Sequence, residues 1–390
     1  MARYYLHTTS YFRAATVTIP FIDLKSQYQL NKQNIDNAIN KVLSHGQYIM
    51  GPEVNELESQ LAEFIGVKHA LACSSGTDAL LLPLMTLGLK KTDAVFTSPF
   101  TFFASAESIS LAGATPVFVD INPNTYNLDP SDLDRKIQAI LDQGKLTPKA
   151  VMPVDLFGLA ADYEQINKTA KKYGLLVLED AAQSFGAQYH SKKACSLGDV
   201  AATSFYPAKP LGCYGDGGAV FTDDSSLHEE LLSLRVHGQG TSGDKYDNVR
   251  IGLNARMDTI QAAVLLEKLK IYEDEIESRN QVARSYTEKL SGIVTTPIVP
   301  ENQGCVWAQY SVQSDNREGV RSSLQDKGIP TAVFYPVPIH LSTAYRSLGY
   351  NEGDFPVSES VSKKIFSLPM HPYLEENDIK FISDAIAAAI

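Results

Sequence analysis

Cysteine is scarce in this 390-residue chain, and the four present, Cys73, Cys195, Cys213 and Cys305, stand far apart. No pair has CxxC spacing and no histidine cluster lies beside them. A disulfide framework and a zinc site are therefore poor readings, and ordinary thiols in a reducing cytoplasm are expected. No metal is expected. Long apolar runs are also missing: none approaches the roughly 20 residues that a membrane helix needs. The opening stretch, Met1 to Thr18, is Tyr-rich and lacks the apolar centre of a secretory signal; it reads as a loose extension before a body that begins near Ile19. There is no basic stripe either. With a net charge of −11, a nucleic-acid role has no electrostatic footprint. What is present is globular composition, 44% hydrophobic and 20% charged, long enough for one large and one small domain.

Two amphipathic helices are expected first, over Asn34–Gly46 and, after the Gly51-Pro52 break, Glu53–Ile65. Short apolar runs then alternate with helical patterns. The strand candidates are Ala70–Cys73, Ala94–Thr97, Pro116–Val119, Ala150–Val154, Leu175–Leu178, Ala201–Phe205 and Ala219–Phe221. The helices between them are Asp78–Leu87, Ser105–Leu111, Ser131–Leu141 and Tyr163–Tyr173. This alternation predicts α/β construction around a mostly parallel, buried sheet. The last strands follow each other without a full helix between, which predicts a mixed sheet with an antiparallel member. Helices resume at Leu227–Val236 and Thr259–Ile276. A smaller C-terminal α+β domain then follows, with strands near Val306–Val312 and Ala332–Phe334 and helices near Glu318–Lys327, Val357–Phe366 and Ile379–Ala388.

Four segments carry chemistry. In Ser204-Phe-Tyr-Pro-Ala-Lys209-Pro-Leu-Gly, a lysine sits between two apolar strands and is followed by Gly212, Gly215, Gly217 and Gly218. Glycine permits close approach to a ligand, and a desolvated lysine amine forms Schiff bases. Taken alone, the segment fits a solvated loop lysine better. In Leu175-Leu-Val-Leu-Glu-Asp180-Ala-Ala-Gln183, a carboxylate closes a buried strand, at the edge where α/β sheets bind ligands. Were the ligand pyridoxal phosphate (PLP), Asp180 would pair with its ring nitrogen and make the ring an electron sink. A helix-capping aspartate reads the residue equally well. In Cys73-Ser-Ser-Gly76-Thr77-Asp78, a turn leads into a helix N-terminus, a phosphate-binding arrangement, although the same residues are ordinary caps. It is neither a P-loop nor a dinucleotide fingerprint. In Pro99-Phe-Thr-Phe102-Phe103, an aromatic after a strand either stacks on a planar ring or packs in the core. The order of these features counts for more than any one of them.

Read as an ordered series, Gly51-Pro-Glu-Val, Ser75-Gly-Thr-Asp-Ala-Leu, Thr101-Phe, Glu179-Asp-Ala-Ala-Gln-Ser, Lys209-Pro-Leu-Gly, Gly215-Asp-Gly-Gly and Asn254-Ala-Arg-Met-Asp resemble the DegT/DnrJ/EryC1/StrS sugar aminotransferases, of the aspartate-aminotransferase-like type I PLP fold. The resemblance runs from about Ile19 to the C-terminus. It implies a large PLP-binding domain over 19–277, with a mostly parallel seven-stranded sheet, and a small domain over 278–390. By position, Lys209 would carry PLP and move protons, Asp180 would hold the ring nitrogen, Gln183 the ring hydroxyl, and Phe102 the ring face. Gly76, Thr77 and Ser204 would hold the phosphate. Asn254 would reach the neighbouring subunit's phosphate, which implies a homodimer with shared active sites. Members that dehydrate carry histidine in place of this lysine, so Lys209 points to transamination. Glutamate would convert the cofactor to pyridoxamine phosphate, and a nucleotide-linked keto-sugar would then take the amine.

His45-Gly-Gln-Tyr-Ile, Pro210-Leu-Gly-Cys-Tyr-Gly-Asp and Ser367-Leu-Pro-Met-His-Pro-Tyr are similar to the branch that aminates C3 of UDP-2-acetamido-2-deoxy-3-oxo-glucuronate for surface polysaccharides such as O-antigen. That branch has a histidine before its Tyr-Pro pair, where Phe334 stands here. Arg256 and His237 are candidates for the uronate or diphosphate, and Tyr335 and His340 for the sugar. Arg256 and His237 read equally as structural polar residues. The competing expectations are another dTDP-, UDP- or GDP-linked keto-sugar, aminated at C3 or C4, or a PLP-fold regulator without turnover.

Overall fold

The structure, a computed structural model, describes residues 19–242, 244 and 246–390. The extension expected over 1–18 lies outside the described residues. The elements in chain order are α1 (Leu24–Leu30), α2 (Lys32–His45), α3 (Pro52–Ile65), β1 (His69–Cys73), α4 (Gly76–Thr86), β2 (Asp93–Thr97), α5 (Ala104–Leu111), β3 (Thr115–Phe118), α6 (Pro130–Gln143), β4 (Thr147–Met152), α7 (Tyr163–Tyr173) and β5 (Leu176–Asp180). After these come β6 (Gln188–Tyr189), β7 (Lys192–Lys193), β8 (Val200–Ser204), β9 (Gly218–Thr222), α8 (Ser225–Arg235), α9 (Thr259–Leu269), α10 (Tyr272–Leu290), β10 (Tyr310–Gln313), α11 (Arg317–Asp326), α12 (Pro356–Lys364), β11 (Ile365–Leu368) and α13 (Glu376–Ala387).

Seven strands form one sheet in the order β1-β9-β8-β5-β4-β2-β3. Only β9 runs against its neighbours: it pairs antiparallel with β1 and with β8, whereas the remaining pairs are parallel. The antiparallel member expected after Ser191 is therefore β9. Burial on both faces explains why β2 and β9, buried along their whole length, read as continuous apolar runs rather than alternating ones. Because β1 and β8 both oppose β9, they point the same way as β5 and β2. The carboxyl ends of β1, β2, β5 and β8 thus share one edge of the sheet with the start of β9. That edge brings the Ser74–Gly76 turn, the Pro99–Phe103 segment, Asp180 and Ser204 together.

Several boundaries differ from the sequence expectation. The strand expected over Ala150–Val154 stops at Met152, just before Pro153, which has no N–H to donate to the ladder. The helix expected over Thr259–Ile276 is two helices, α9 and α10, with Lys270 and Ile271 between them. Of the helix expected over Val357–Phe366, its last two residues belong to β11, which pairs with β10. The strand expected from Val306 begins at Tyr310, and Ala332–Phe334 yields only an isolated bridge from Ala332 to Ser367.

The apolar core of the C-terminal part joins Val282, Tyr286, Tyr310, Phe366 and Ile382. A separate cluster beside the sheet joins Leu57, Phe185, Phe221 and Tyr272. Tyr272 and Tyr286 are both on α10, so this helix serves two cores, and the boundary expected at 277/278 falls inside it. No helix among the described residues is long and apolar enough to cross a membrane.

Candidate active site

At the carboxyl end of β5, Asp180 is 3% exposed. Its Oδ2 accepts from Ser105 Oγ at 2.7 Å and its Oδ1 from the Ala182 N–H at 3.2 Å. Thr101 Oγ1 lies 3.1 Å from Ser105 Oγ, so two buried hydroxyls, Ser105 directly and Thr101 through it, and one backbone N–H fix the carboxylate. Burial raises the carboxyl's pKa, while Ser105, Ala182 and the charge of Lys209 oppose the rise. Lys209 follows β8 in the loop to β9. Burial lowers its pKa, and the Asp180 charge acts the other way. The two side chains are near enough to shift each other's ionisation yet form no contact ion pair, the arrangement expected of groups that grip one ligand from two sides.

Gln183 is oriented by its own bonds. Its Oε1 accepts from the Phe157 N–H at 2.8 Å, leaving Nε2 to donate to Tyr335 Oη at 3.1 Å. Tyr335 also lies edge-on to Phe100 and tilted to Phe102, with ring centroids 6.1 and 6.4 Å away. Phe102 itself is 59% exposed. It is no core residue, and its ring is available to a ligand.

The Ser74–Gly76 turn opens α4. Ser75 caps the helix by accepting from Asp78 N–H at 3.1 Å. The N–H groups of Gly76 and Thr77, in the first turn, have no acceptor within the helix. Gly76 is required by crowding: a Cβ there would lie 2.6 Å from Ser204 Cβ. Gly218, paired with both Cys73 and Ser204, is held as tightly, since its Cβ would fall 2.4 Å from Ser75 O. Ala255 O accepts from Ser74 N–H at 3.1 Å, so Asn254 and Arg256 flank the same turn. Arg256 Nε donates to Asn254 Oδ1 at 2.9 Å, which turns the Asn254 amide nitrogen outward. His237, exposed, belongs to the segment paired with 253–254.

His340 is placed elsewhere. It is 1% exposed, with Nε2 3.1 Å from Glu359 Oε1 and its ring 4.6 Å from that of Phe355. A buried, partnered histidine packed among aromatics is a core residue, and it does not join the Asp180–Lys209 cluster. The sequence reading missed Ser105 as anything but a helix start. It also missed the Gln183–Tyr335 bond and Lys268, which is buried and bonded to the Lys209 loop. Ser105 lies one helical turn beyond Thr101-Phe102, and that spacing was its one visible signal.

The residues fit PLP. The cofactor asks for an amine, a carboxylate for its ring nitrogen, a flat apolar cover and an anion cradle, and the cluster offers Lys209, Asp180, Phe102 and the α4 N-terminus beside Ser204. The relatives agree with the geometry. The model of the DegT/DnrJ/EryC1/StrS aminotransferase family matches residues 29–387. A UDP-2-acetamido-2-deoxy-3-oxo-D-glucuronate aminotransferase of Pseudomonas aeruginosa is 48% identical over 371 residues, 94% of this chain and 99% of its own. A crystal structure of a DegT DnrJ EryC1 StrS aminotransferase from Brucella abortus superposes with a TM-score of 0.92 at 51% identity, covering 95% of this chain and 98% of its own. The S. venezuelae DesV structure in complex with a ketimine intermediate gives 0.90 at 37% identity, with coverage of 95% and 98%. The fold is the type I PLP fold and the cofactor of these transaminases is PLP. The chain belongs to the DegT/DnrJ/EryC1/StrS aminotransferase family.

Proposed function

We propose that this enzyme moves an amino group from glutamate to C3 of a nucleotide-linked keto-sugar, with UDP-2-acetamido-2-deoxy-3-oxo-glucuronate as the substrate, in surface polysaccharide biosynthesis. The observation that carries the sugar assignment is the full-length 48% identity to the Pseudomonas aeruginosa enzyme. The chemistry rests on Lys209 and Asp180 meeting at one edge of the sheet.

Bound PLP supplies an electron-withdrawing ring that acidifies the carbon next to the amine it carries. Asp180, buried and held by Ser105, would keep the proton on the ring nitrogen. Gln183 Nε2 donates to the ring hydroxyl oxygen, and its orientation is already set by Phe157. Phe102 covers the ring and excludes water. The N–H groups of Gly76 and Thr77, with the Thr77 and Ser204 hydroxyls, hold the phosphate at the positive end of α4. Lys209 Nζ, whose pKa burial lowers, removes the proton from the α-carbon of glutamate. In the second half-reaction it delivers a proton to the former carbonyl carbon of the sugar. Tyr335, beside Gln183 and Phe102, faces the sugar, and Arg256 and His237 take the uronate or diphosphate.

The enzyme works as a cytoplasmic homodimer in which Asn254 reaches the partner's phosphate. The large domain spans 19–277 and the small domain 278–390. The test is spectroscopic and then preparative. Glutamate should bleach the yellow holoenzyme, and a panel of nucleotide keto-sugars should then restore the colour only with the UDP-linked uronate. Persistent yellow colour in glutamate removes the donor assignment, and equal restoration by dTDP-linked sugars removes the uronate.

A further inference from the structure

The loop between β8 and β9 carries Lys209 and is held internally by backbone bonds and by the Cys213 thiol, which donates to Phe205 O and Gly215 O. Lys209 N–H donates to Tyr206 O, Cys213 N–H to Phe205 O, and Phe205 N–H to Gly217 O, each at 2.8 Å. Two further points on the loop are held from outside, both by α9. Gln261 Oε1 accepts from Tyr214 N–H at 2.8 Å, and its Nε2 donates to Tyr214 O at 3.4 Å. Lys268 Nζ donates to Gly212 O at 2.7 Å. The two side chains are seven residues apart, two turns of helix, and so share a face.

Lys268 is 1% exposed. No carboxylate forms an ion pair with it among the described residues. Its Nζ sits 4.3 Å from the centroid of the Tyr214 ring. Burial pulls its pKa down to about 8, with Glu275 and Cys213 acting the other way. An ammonium without a contacting counter-ion is a costly way to fill space that a methionine would fill at no electrostatic cost. What the ammonium adds is direction, a donor aimed at one carbonyl. Gly212 transmits that hold along the loop. A Cβ on it would lie 2.6 Å from Pro207 O and 2.8 Å from Tyr206 O, so its backbone rests against the turn that bonds Lys209 N–H. A shift of Gly212 moves that turn.

We propose that Lys268 and Gln261 are positioning residues that hold the loop from Tyr206 to Gly217 against α9, and through it aim the Lys209 amine. The proposal rests on the reading of Lys209 as the proton-carrying amine. Neither residue touches the reacting atoms; both act through the loop backbone.

The experiment uses the holoenzyme, with Lys268→Met, Lys268→Arg, Gln261→Met and Lys209→Ala compared with the parent. Lys268→Met keeps the neighbourhood packed but removes the donor. Misaiming a reacting group by an ångström costs about 10²-fold, so kcat is expected to fall by about that factor, with KM for the sugar within about twofold. The pH titration of the holoenzyme's visible absorbance should move as well, and amide exchange over Tyr206–Gly217 should quicken. Lys268→Arg, which restores a donor, should recover part of kcat and return the titration toward the parent. A purely structural role would lower the folded fraction and leave the titration of the folded enzyme where it was. Parental kcat and an unmoved titration in Lys268→Met, with Lys209→Ala inactive, overturn the positioning role and leave the Lys209 reading intact. Turnover surviving in Lys209→Ala overturns that reading instead. If Lys268→Met does not fold, Gln261→Met decides by the same split between kcat and KM and the same titration.

Discussion

Ser105 Oγ and Asp180 Oδ2 are 2.7 Å apart, and this bond does more than orient a carboxylate. Burial drives the Asp180 pKa up; Ser105 is first among the groups that oppose the rise. Only the ionised carboxylate can hold a protonated ring nitrogen. PLP binding to the apoprotein should therefore fall away on the acid side, as pH drops through the raised Asp180 pKa. Ser105→Ala removes a hydrogen bond to a charged group, worth about 1.5–3 kcal/mol, and should move that acid edge to higher pH. Ser105→Thr should move it back. PLP titrations of the apoprotein across the acid range check this; superimposable edges in parent and Ser105→Ala would exclude the coupling.

How far the sequence carried this architecture depends on what each residue answers to. The strands of the large sheet were legible because burial on both faces demands unbroken apolar runs, and the antiparallel β9 was legible because no crossover helix precedes it. The α9–α10 break was hidden, since Lys270 and Ile271 interrupt no apolar stripe and include neither Gly nor Pro. Phe366 was misread because the stripe of α12 runs straight into β11, and pairing with β10, far away in sequence, decides where the helix stops. In the site, Asp180 and Lys209 were legible through the order of the motifs around them, since each taken alone read as well as a helix cap or a loop lysine. His340 was offered as a sugar contact with no motif behind it; its partner Glu359 comes from α12, and only the fold shows that the pair is buried. Lys268 was invisible for the opposite reason: between Glu267 and Lys270 it looks like any solvated helix lysine.

The crowding at the phosphate turn gives a prediction on stability and binding together. Gly76→Ala places a methyl 2.6 Å from Ser204 Cβ. Overpacking of this kind costs about 1–3 kcal/mol, although alanine is the better helix former. The melting temperature of the apoprotein should fall and PLP affinity should weaken as the turn opens. Adding Ser204→Gly should recover part of the stability, since Cβ and the hydroxyl are gone and only the Ser204 Cα remains close, at 3.2 Å, but not the affinity, since the hydroxyl is gone as well. Recovery of both would mean that Ser204 does not hold the phosphate.

His371 makes stability depend on pH. It is 2% exposed, and burial lowers its pKa from 6.5 to about 4 against the pull of a backbone hydrogen bond to Pro20. Asp23 pulls the other way and Arg279 adds to the lowering. The unfolded chain therefore binds this proton more readily than the folded one. Stability is complete above about pH 6.5 and is lost as pH falls toward 4, by about 3 kcal/mol at most from this group. Urea unfolding at pH 7 and at pH 4.5 should show the loss, and His371→Gln should flatten it. An equal acid loss in the variant would place the titrating group elsewhere.

Asn254 offers the sharpest test of the shared site. Its Oδ1 is occupied by Arg256 Nε at 2.9 Å, so the amide nitrogen is the end presented outward, a donor suited to a phosphate oxygen. If that phosphate belongs to the partner subunit, Asn254→Ala should weaken PLP retention without altering the turn that holds the phosphate within its own chain. A charge-assisted hydrogen bond of about 1.5–3 kcal/mol corresponds to roughly a tenfold to hundredfold loss of affinity. Mixing decides where the amide acts. A hybrid dimer of one Asn254→Ala chain with one Lys209→Ala chain contains a single site that has Lys209. In such a hybrid the Asn254→Ala chain supplies the only Lys209, and its partner supplies an intact Asn254. PLP retention at that site should therefore match the parent if Asn254 acts across the interface. It should show the full deficit of the Asn254→Ala homodimer if Asn254 acts within its own chain.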